Sequence, residues 1–220
     1  MKIDLHVHSH YSRDALSKPE TIVARAKAKG LTAVAITDHS RCRAWPELEK
    51  LTKKEGLPFV KGEEIKVVGN GKITGEIIGL FMNKEVERGS APEIIDSLRQ
   101  QDAIITIPHP FDIFRNEFKN IDAIAKKVDA IEVFNSRCVT RRFNRKAKDY
   151  AESHNLGFTA GSDAHHPSEI GNAFVECDGN SLEDLRKAIL KKKTTVAGKK
   201  SSPFVHGFTT LAKFNLMRPR

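Results

Sequence analysis

Short apolar segments alternate with longer amphipathic segments along almost the whole chain. The apolar segments have the length and the β-branched content of buried strands, and the amphipathic segments repeat their apolar positions at helical spacing. Nine strands are predicted, over residues 3–7, 33–37, 59–67, 72–81, 103–107, 130–134, 158–161, 173–177 and 194–197. Six helices are predicted, near residues 18–29, 45–55, 91–101, 120–127, 140–154 and 181–192. Strands that alternate with helices are typical of βα units, so an α/β fold is expected.

The length and composition indicate one folded domain over residues 1–220. The chain has 220 residues, of which 39% are hydrophobic and 30% charged, close to the average of globular proteins. Its longest apolar run, residues 77–82, is far shorter than a membrane span, so no membrane role is expected. Ionisable residues at every second position of the N-terminus exclude a signal peptide there, and the three cysteines form no CxxC pair. A cytoplasmic protein with reduced cysteines is therefore expected.

The charge balance favours anionic partners. The formal net charge is +9, from 37 Lys and Arg against 28 Asp and Glu. Such an excess suits a phosphorylated small molecule or, as a second possibility, nucleic acid, although lysine-rich faces are often only solvated. No obligate protein partner is inferred.

Polar residues gather where the predicted strands end, which in a β/α barrel is the active-site face. His6 and His8 are two residues apart on a strand, so both rings point to one face, and Asp163 and His165 repeat this spacing. Buried imidazoles and carboxylates need partners, and divalent metals such as zinc, manganese or iron satisfy both types. A metal cluster is predicted.

The same residues stand in a series of motifs that resembles the PHP (polymerase and histidinol phosphatase) superfamily. The motifs are His6-Val7-His8-Ser9 with Ser12 and Asp14, Thr37-Asp38-His39, Gly62-Glu63-Glu64-Ile65, Pro108-His109-Pro110, Ile131-Glu132-Val133 and Gly161-Ser162-Asp163-Ala164-His165. The resemblance covers residues 6–171, nearly the whole chain. The resemblance implies a distorted (β/α)7 barrel that holds two or three divalent metal ions (Zn, Mn or Fe) in a cleft.

The resemblance also implies a distribution of the metal ligands. One ion would be held by His6, His8, Glu64 and Asp163. A second would be held by His109 and by Glu64, which bridges the two ions. A third would be held by Asp14, His39 and His165. Family members are typically phosphoesterases, in which a hydroxide generated at the metal attacks the phosphorus. No dedicated side-chain nucleophile is expected, since the chain has neither a G-x-S-x-G motif nor a P-loop.

Two glutamates near this set carry open alternatives. Glu64 is chosen over its neighbour Glu63 because the family pattern has one residue between the glycine and the ligand, which leaves Glu63 as an exposed charge beside the site. Glu76 stands where similar proteins often have a histidine. As a ligand it would favour a harder ion such as manganese; as an exposed strand residue it would leave the second metal weak or absent.

Two further residues are expected beside the ligands, and the chain end has its own prediction. Asp38 is predicted to orient a ligand from behind, and Arg137 to clamp a phosphate group with its planar fork. The loops 41–46 and 111–119 could line the substrate cleft or be ordinary surface; their plausible lining residues are Arg41, Arg43, Trp45, Phe111, Phe114 and Arg115. The tail 201–220, with Phe204, Phe208, Leu211, Phe214 and Leu216, is expected to pack back on the barrel, with a partner contact as the alternative.

Three functions remain open at this point. The favoured one is a phosphomonoesterase acting on a small phosphorylated metabolite or a nucleotide. The alternatives are an exonuclease acting on DNA or RNA ends and a non-catalytic binding module of the same fold. The near-complete ligand set disfavours the binding module.

Overall fold

The computed structural model describes residues 1–115, 117–202, 204, 205, 207 and 209. Nine strands lie in this part of the chain: β1 (Lys2–Asp4), β2 (Ala33–Ile36), β3 (Phe59–Gly69), β4 (Lys72–Leu80), β5 (Ile104–Ile107), β6 (Ala130–Asn135), β7 (Gly157–Gly161), β8 (Ala173–Glu176) and β9 (Thr195–Gly198). Five α-helices accompany them: α1 (Pro19–Ala28), α2 (Trp45–Glu55), α3 (Ala91–Arg99), α4 (Arg141–Ser153) and α5 (Leu182–Leu190). Every predicted strand is confirmed, as are five of the predicted helices.

The remaining predicted helix, 120–127, is wrong in type. Two short 3₁₀ helices, Ile121–Ala123 and Ala125–Lys127, lie there instead. Asn120 precedes them in the left-handed region, with φ 59°. Short connectors of this kind commonly use the tighter 3₁₀ winding, because too few residues are present to repay the nucleation of an α-helix.

Seven strands form a barrel that closes on itself. The sheet runs in the order β7-β6-β5-β4-β3-β2-β1, and all neighbours are parallel except the two pairs that involve β4. Beyond the end of β1, Leu5 N donates to Ala160 O at 3.2 Å and His8 N to Ala164 O at 3.0 Å, which joins the first strand to the seventh. Strands β8 and β9 form an antiparallel hairpin that pairs with the start of β1 outside this ring.

The distortion of the barrel has a clear origin. β3 and β4 form a long antiparallel hairpin without an intervening helix. The alternating β/α pattern is therefore interrupted once. The hairpin brings residues of β3 and β4 to the end of the barrel where the neighbouring parallel strands have their carboxyl ends. This arrangement confirms the expected distorted β/α barrel.

Fully buried aliphatic side chains hold the helices against the sheet. Ile22 of α1, Leu48 of α2 and Leu98 of α3 are each 0% exposed. At roughly 1.5–3 kcal/mol for each buried large aliphatic side chain, this packing makes the barrel a rigid frame for the polar residues at its mouth. No α-helix among the described residues has both the length and the apolar character required to span a membrane.

The start of the C-terminal tail contacts the barrel. Ser201 N donates to Ser136 O at 2.8 Å, and Val205 is buried, whereas Phe204 is 85% exposed. Phe204 is therefore not packed as expected, and the packing of the tail as a whole stays a prediction. Phe208, Leu211, Phe214 and Leu216 lie outside the described residues.

Candidate metal centre

The structure brings all nine predicted ligands to one end of the barrel. Four come from the segments that follow β1 and β2, two from the β3–β4 hairpin, and three from the segments after β5 and β7. Their donor atoms form four groups whose members lie within 4.8 Å of one another: His6, Glu64 and His109; His6, His8 and Asp163; His8, His39 and His165; and His39, Glu64 and Glu76. Asp14 lies 3.6 Å from His165 and 3.7 Å from His39.

The first predicted site has the spacing of a compact metal centre. His6 Nε2 and His8 Nε2 are 3.1 Å apart. Each lies 3.4–3.6 Å from an oxygen of Glu64 and from Asp163 Oδ1. Ligands at about 2.0–2.1 Å from a tetrahedral ion would be roughly 3.3 Å apart, so the spacing of His6, His8 and Asp163, with a Glu64 oxygen beside each ring, suits a divalent cation. All four side chains are at most 2% exposed, which makes such an ion the natural partner for so many buried donors.

Glu64 lies at the centre of the whole cluster. Its carboxylate is 2.9 Å from His39 Nδ1 and 3.2 Å from His109 Nε2, in addition to its contacts with His6 and His8. One carboxylate that touches four imidazoles can serve more than one ion. The predicted bridging role of Glu64 therefore suits its position.

The strand register explains why Glu76 joins this group. In the β3–β4 hairpin Glu64 stands opposite Ile78, and Lys66 opposite Glu76. Opposed residues share a face of the sheet, so Glu64 and Glu76 project to the same side. Glu76 is 5% exposed, with Oε2 3.8 Å from His109 Nε2. The alternative of an exposed strand residue is therefore wrong; ligation by Glu76 stays a prediction.

Glu132 of β6 orients two of the ligands and was not assigned from the sequence. One of its oxygens accepts a hydrogen bond from His6 Nδ1 at 2.9 Å, and the other accepts from His109 N at 2.9 Å. A carboxylate behind an imidazole fixes the ring and leaves Nε2 for the metal. The signal was available, because Glu132 stands between Ile131 and Val133 in an apolar strand, where a carboxylate needs a partner.

Asp38 acts on the ligands through two serines. Its carboxylate accepts from Ser9 N, Ser9 Oγ and Ser12 Oγ at 2.6–2.7 Å. Ser12 Oγ in turn lies 3.3 Å from His8 Nδ1 and accepts from His39 N at 3.1 Å. Asp38 thus positions both histidines by way of Ser12, which fits the predicted supporting role.

The mixed charges of the cluster shift the pKa values of its members in opposite directions. Burial lowers the pKa of His39, but Glu64 outweighs this and raises it to about 9. Burial likewise disfavours the charged form of His6, yet Asp163, Glu132 and Glu64 raise its pKa well above the usual value. For His165, burial and the nearby His8 and Arg137 lower the pKa well below the usual range.

Two predicted ligands occupy unusual backbone conformations. His109 has φ 26° and Asp163 φ 53°, in the left-handed half of the map that non-glycine residues rarely adopt. Gly161, two residues before Asp163, permits the close approach of the segment after β1, since a Cβ placed there would meet His6 N at 2.6 Å. Backbone strain such as the positive φ of His109 and Asp163 concentrates at functional sites, where the surrounding structure enforces it.

Arg115 is the guanidinium that reaches the cluster. It forms an ion pair with Asp163 and donates to Asn135 Oδ1 at 3.2 Å, and its side chain is 24% exposed. Its Nε lies 3.3 Å from Asp112 Oδ2, which fixes the side chain from behind. From the sequence Arg115 could not be told from an ordinary loop residue, because only the fold of the segment after β5 brings it to Asp163.

Arg137 has a different environment from the one predicted. Its side chain is 5% exposed, with Nε 3.3 Å from Glu169 Oε1 and a terminal nitrogen donating to Thr209 at 2.7 Å. Glu169 also accepts from His165 N at 3.1 Å. Arg137 therefore supports the segment that carries His165, and its role as a phosphate clamp stays a prediction that this buried ion pair disfavours.

Glu63 is not the exposed charge that was expected. It is 0% exposed and lies on the face of β3 opposite to Glu64. Oε2 accepts from Val86 N at 2.8 Å, while Oε1 forms no hydrogen bond with any described residue. Burial raises the pKa of Glu63 to about 8. The expectation failed because the loop between β4 and α3 covers this face, which no local pattern in the sequence shows.

Comparisons with known proteins agree with this architecture. A family described as PHP-associated matches residues 141–194. An uncharacterized protein of Methanocaldococcus jannaschii is 37% identical over 191 residues, which cover 83% of this chain and 73% of that protein. A second uncharacterized protein of the same organism is 35% identical over 151 residues, 62% of this chain and 82% of that protein.

Two further likenesses are more distant. The PolC-type DNA polymerase III of Lacticaseibacillus paracasei is 38% identical over 71 residues, 32% of this chain and only 5% of the polymerase. A two-domain Bacteroides vulgatus protein, described as containing a PHP-like metal-dependent phosphoesterase, superimposes with a TM-score of 0.77 at 21% identity, over 90% of this chain and 65% of that one. Taken with the motifs and the barrel, these matches show that the chain belongs to the PHP superfamily.

Proposed function

We propose that this protein is a metal-dependent phosphoesterase, and that it acts as a phosphomonoesterase on a small phosphorylated metabolite or a nucleotide. The observation that carries the proposal is the position of Glu64, one buried carboxylate in contact with four imidazoles at the barrel mouth. Such a centre suits phosphate-ester hydrolysis, because bound metal ions would neutralise the negative charge of the phosphoryl group. The description of the Bacteroides vulgatus protein supports the same class of reaction.

The ligand set defines which residues would hold two or three divalent ions. These are His6, His8, Glu64 and Asp163, then Glu64 with His109 and Glu76, and Asp14 with His39 and His165. Bound there, the ions would lower the pKa of water towards neutrality and stabilise the phosphoryl oxygens. Zinc, manganese and iron all accept imidazole and carboxylate ligands.

The remaining residues of the site hold the ligands in position. Glu132 holds the ring of His6 and the backbone of His109, and Asp38 holds His8 through Ser12. Arg115 presents a guanidinium beside Asp163, where its planar fork suits phosphate oxygens.

The thiol of Cys138, which lies near Arg115 and Asp163, is a poor nucleophile. Cys138 is 1% exposed, and burial raises the pKa of its thiol far above the usual value. This supports hydrolysis without a dedicated side-chain nucleophile.

An exonuclease is the second candidate. It is favoured by the local similarity to PolC-type DNA polymerase III and by the net charge of +9. The helix α4 also carries exposed cations, including Arg142 and Lys146, that could follow a phosphate backbone. A non-catalytic binding module is the third, and the nearly complete ligand set counts against it.

Metal content and hydrolysis test the proposal together. Purified protein loaded with manganese or zinc is expected to retain two or three equivalents, to lose metal in His6→Ala and Asp163→Ala, and to keep it in the control His154→Ala, whose side chain is 38% exposed. The loaded protein should hydrolyse p-nitrophenyl phosphate and lose this activity with chelator. Protein that takes up no metal, or that binds metal and hydrolyses no phosphate ester, would refute the proposal; faster turnover of oligonucleotides than of mononucleotides would favour the exonuclease.

A further inference from the structure

A cleft opens beside the predicted ligands Asp14 and His39. Its volume is about 670 Å³, and it is lined by segments that follow β1, β2 and β4 and by the outer part of β3. This volume lies within the range of about 300–1,000 Å³ that is usual for small-molecule sites. It exceeds what one phosphate group at the metal ligands would occupy, so the cleft has room for the rest of a substrate.

Four cations line this cleft, Arg13, Arg41, Lys66 and Arg88. None of them forms an ion pair or a side-chain hydrogen bond with a described residue. Arg41 and Lys66 are only partly exposed, so part of each side chain is shielded from water.

The cations of the cleft outnumber its acidic residues. Asp14, Glu85 and Glu87 line the same space, and Glu85 Oε2 accepts from Cys42 N at 2.9 Å. The four cations come from four different segments of the chain and meet at this cleft. A ligand with negative charge would pair with this excess of cations.

We infer that this cleft binds a second phosphate group of the substrate, so that the preferred substrates are small molecules with two phosphates, one cleaved at the metal ligands and one held by Arg13, Arg41, Lys66 and Arg88. This inference rests on the proposed phosphoesterase function. Arginine suits the role because its planar fork matches phosphate oxygens in pairs. One phosphate at the metal ligands would leave the outer cations unpaired, whereas a second phosphate pairs with them.

The test compares substrates that differ by one phosphate. Fructose 1,6-bisphosphate is assayed against fructose 1-phosphate and fructose 6-phosphate, and glucose 1,6-bisphosphate against glucose 6-phosphate, by phosphate release from the manganese-loaded protein. The kcat/KM is expected to be about tenfold or more higher for each bisphosphate, which corresponds to about 1.4 kcal/mol. Arg88→Ala should lower this preference about tenfold.

Two further variants make the result specific. Lys66→Gln is the second cleft variant and should lower the same ratio, which covers the case that Arg88→Ala does not fold. Arg25→Ala removes an exposed arginine of α1 that is not among the residues lining the cleft, and it should leave the ratio at its wild-type value.

The outcomes separate this inference from the proposed function. Hydrolysis of all the substrates with equal kcat/KM, or a preference that neither cleft variant changes, would overturn the inference and leave the phosphoesterase in place. Failure to hydrolyse any of them with any divalent metal would overturn both. A higher kcat/KM for an oligonucleotide than for either bisphosphate, lost in Arg88→Ala, would assign the cleft to a polynucleotide and overturn the small-molecule form.

Discussion

Replacing Glu63 by glutamine should stabilise the protein at alkaline pH. The carboxylate is 0% exposed, and its Oε1 forms no hydrogen bond with any described residue. Glutamine keeps the size of the side chain and can still accept from Val86 N through its amide oxygen. The substitution therefore removes a charge that burial disfavours and retains the one hydrogen bond that the backbone of Val86 donates.

The magnitude follows from the pKa of Glu63, which burial raises from 4.5 to about 8. Below pH 4.5 the carboxyl is protonated in both the folded and the unfolded chain, so it costs nothing. Between 4.5 and about 8 only the unfolded chain ionises, and the free energy of unfolding falls by about 1.4 kcal/mol per pH unit. Above that window the loss is constant, at an upper limit of roughly 4–5 kcal/mol.

Urea denaturation of the wild type and of Glu63→Gln at pH 5, 7 and 9 measures this difference. The variant is expected to differ little at pH 5 and to be more stable by several kcal/mol at pH 9. Glu49→Gln is the matched control, since the Glu49 side chain is 63% exposed and its change should be small at every pH. Metal ligands titrate equally in both proteins, so their contribution cancels in the comparison.

A stability difference that does not grow with pH would refute the reasoning. It would mean that Glu63 is already ionised in the folded protein, with its charge stabilised by groups other than Val86 N. Destabilisation of similar size at every pH would also refute the reasoning, because it would show that glutamine loses contacts that do not depend on ionisation.

Three other predictions concern the metal centre. Gly161→Ala should destabilise the fold by several kcal/mol and weaken metal binding, because the added Cβ would lie 2.6 Å from His6 N, and thermal unfolding with metal titration will show whether it does. Glu132→Gln should lower metal affinity about 10–100-fold with little loss of folding, as measured by competition with a chelator; unchanged affinity would exclude its orienting role. Metal affinity should rise between pH 6 and 9, since protons must leave His39, whose pKa is about 9, and calorimetry in two buffers should detect their release.

The repeating pattern of the chain predicted the strands well because each is a short apolar run between polar boundaries. It could not show that β4 runs antiparallel, since the direction of a strand depends on which neighbours it meets. It also misjudged residues 120–127, where an amphipathic pattern is shared by an α-helix and by consecutive 3₁₀ helices.

The candidate site was predictable where the spacing of two residues along a strand decides the face to which their side chains point. His6 with His8, and Asp163 with His165, lie two apart at strand ends, and such pairs share a face. Arg115 and Glu63 were beyond this reasoning. The environment of each is formed by a loop, after β5 for Arg115 and after β4 for Glu63, and the position of a loop depends on the packing of the whole barrel.

The charges at the barrel mouth explain why one set of residues can bind either protons or metal ions. Burial disfavours the ionised form of Glu64, but His6 and His39 outweigh this and hold its pKa well below the usual range. The same attraction raises the pKa of both histidines, so protons occupy the imidazoles when no other cation is near. A divalent ion carries as much positive charge as these two protons, it can contact the oxygens of Glu64 and Asp163 directly, and it leaves the imidazoles neutral. The fold therefore brings together carboxylates that need a nearby cation. Glu132 and Asp38 hold the imidazoles in position to bind that cation.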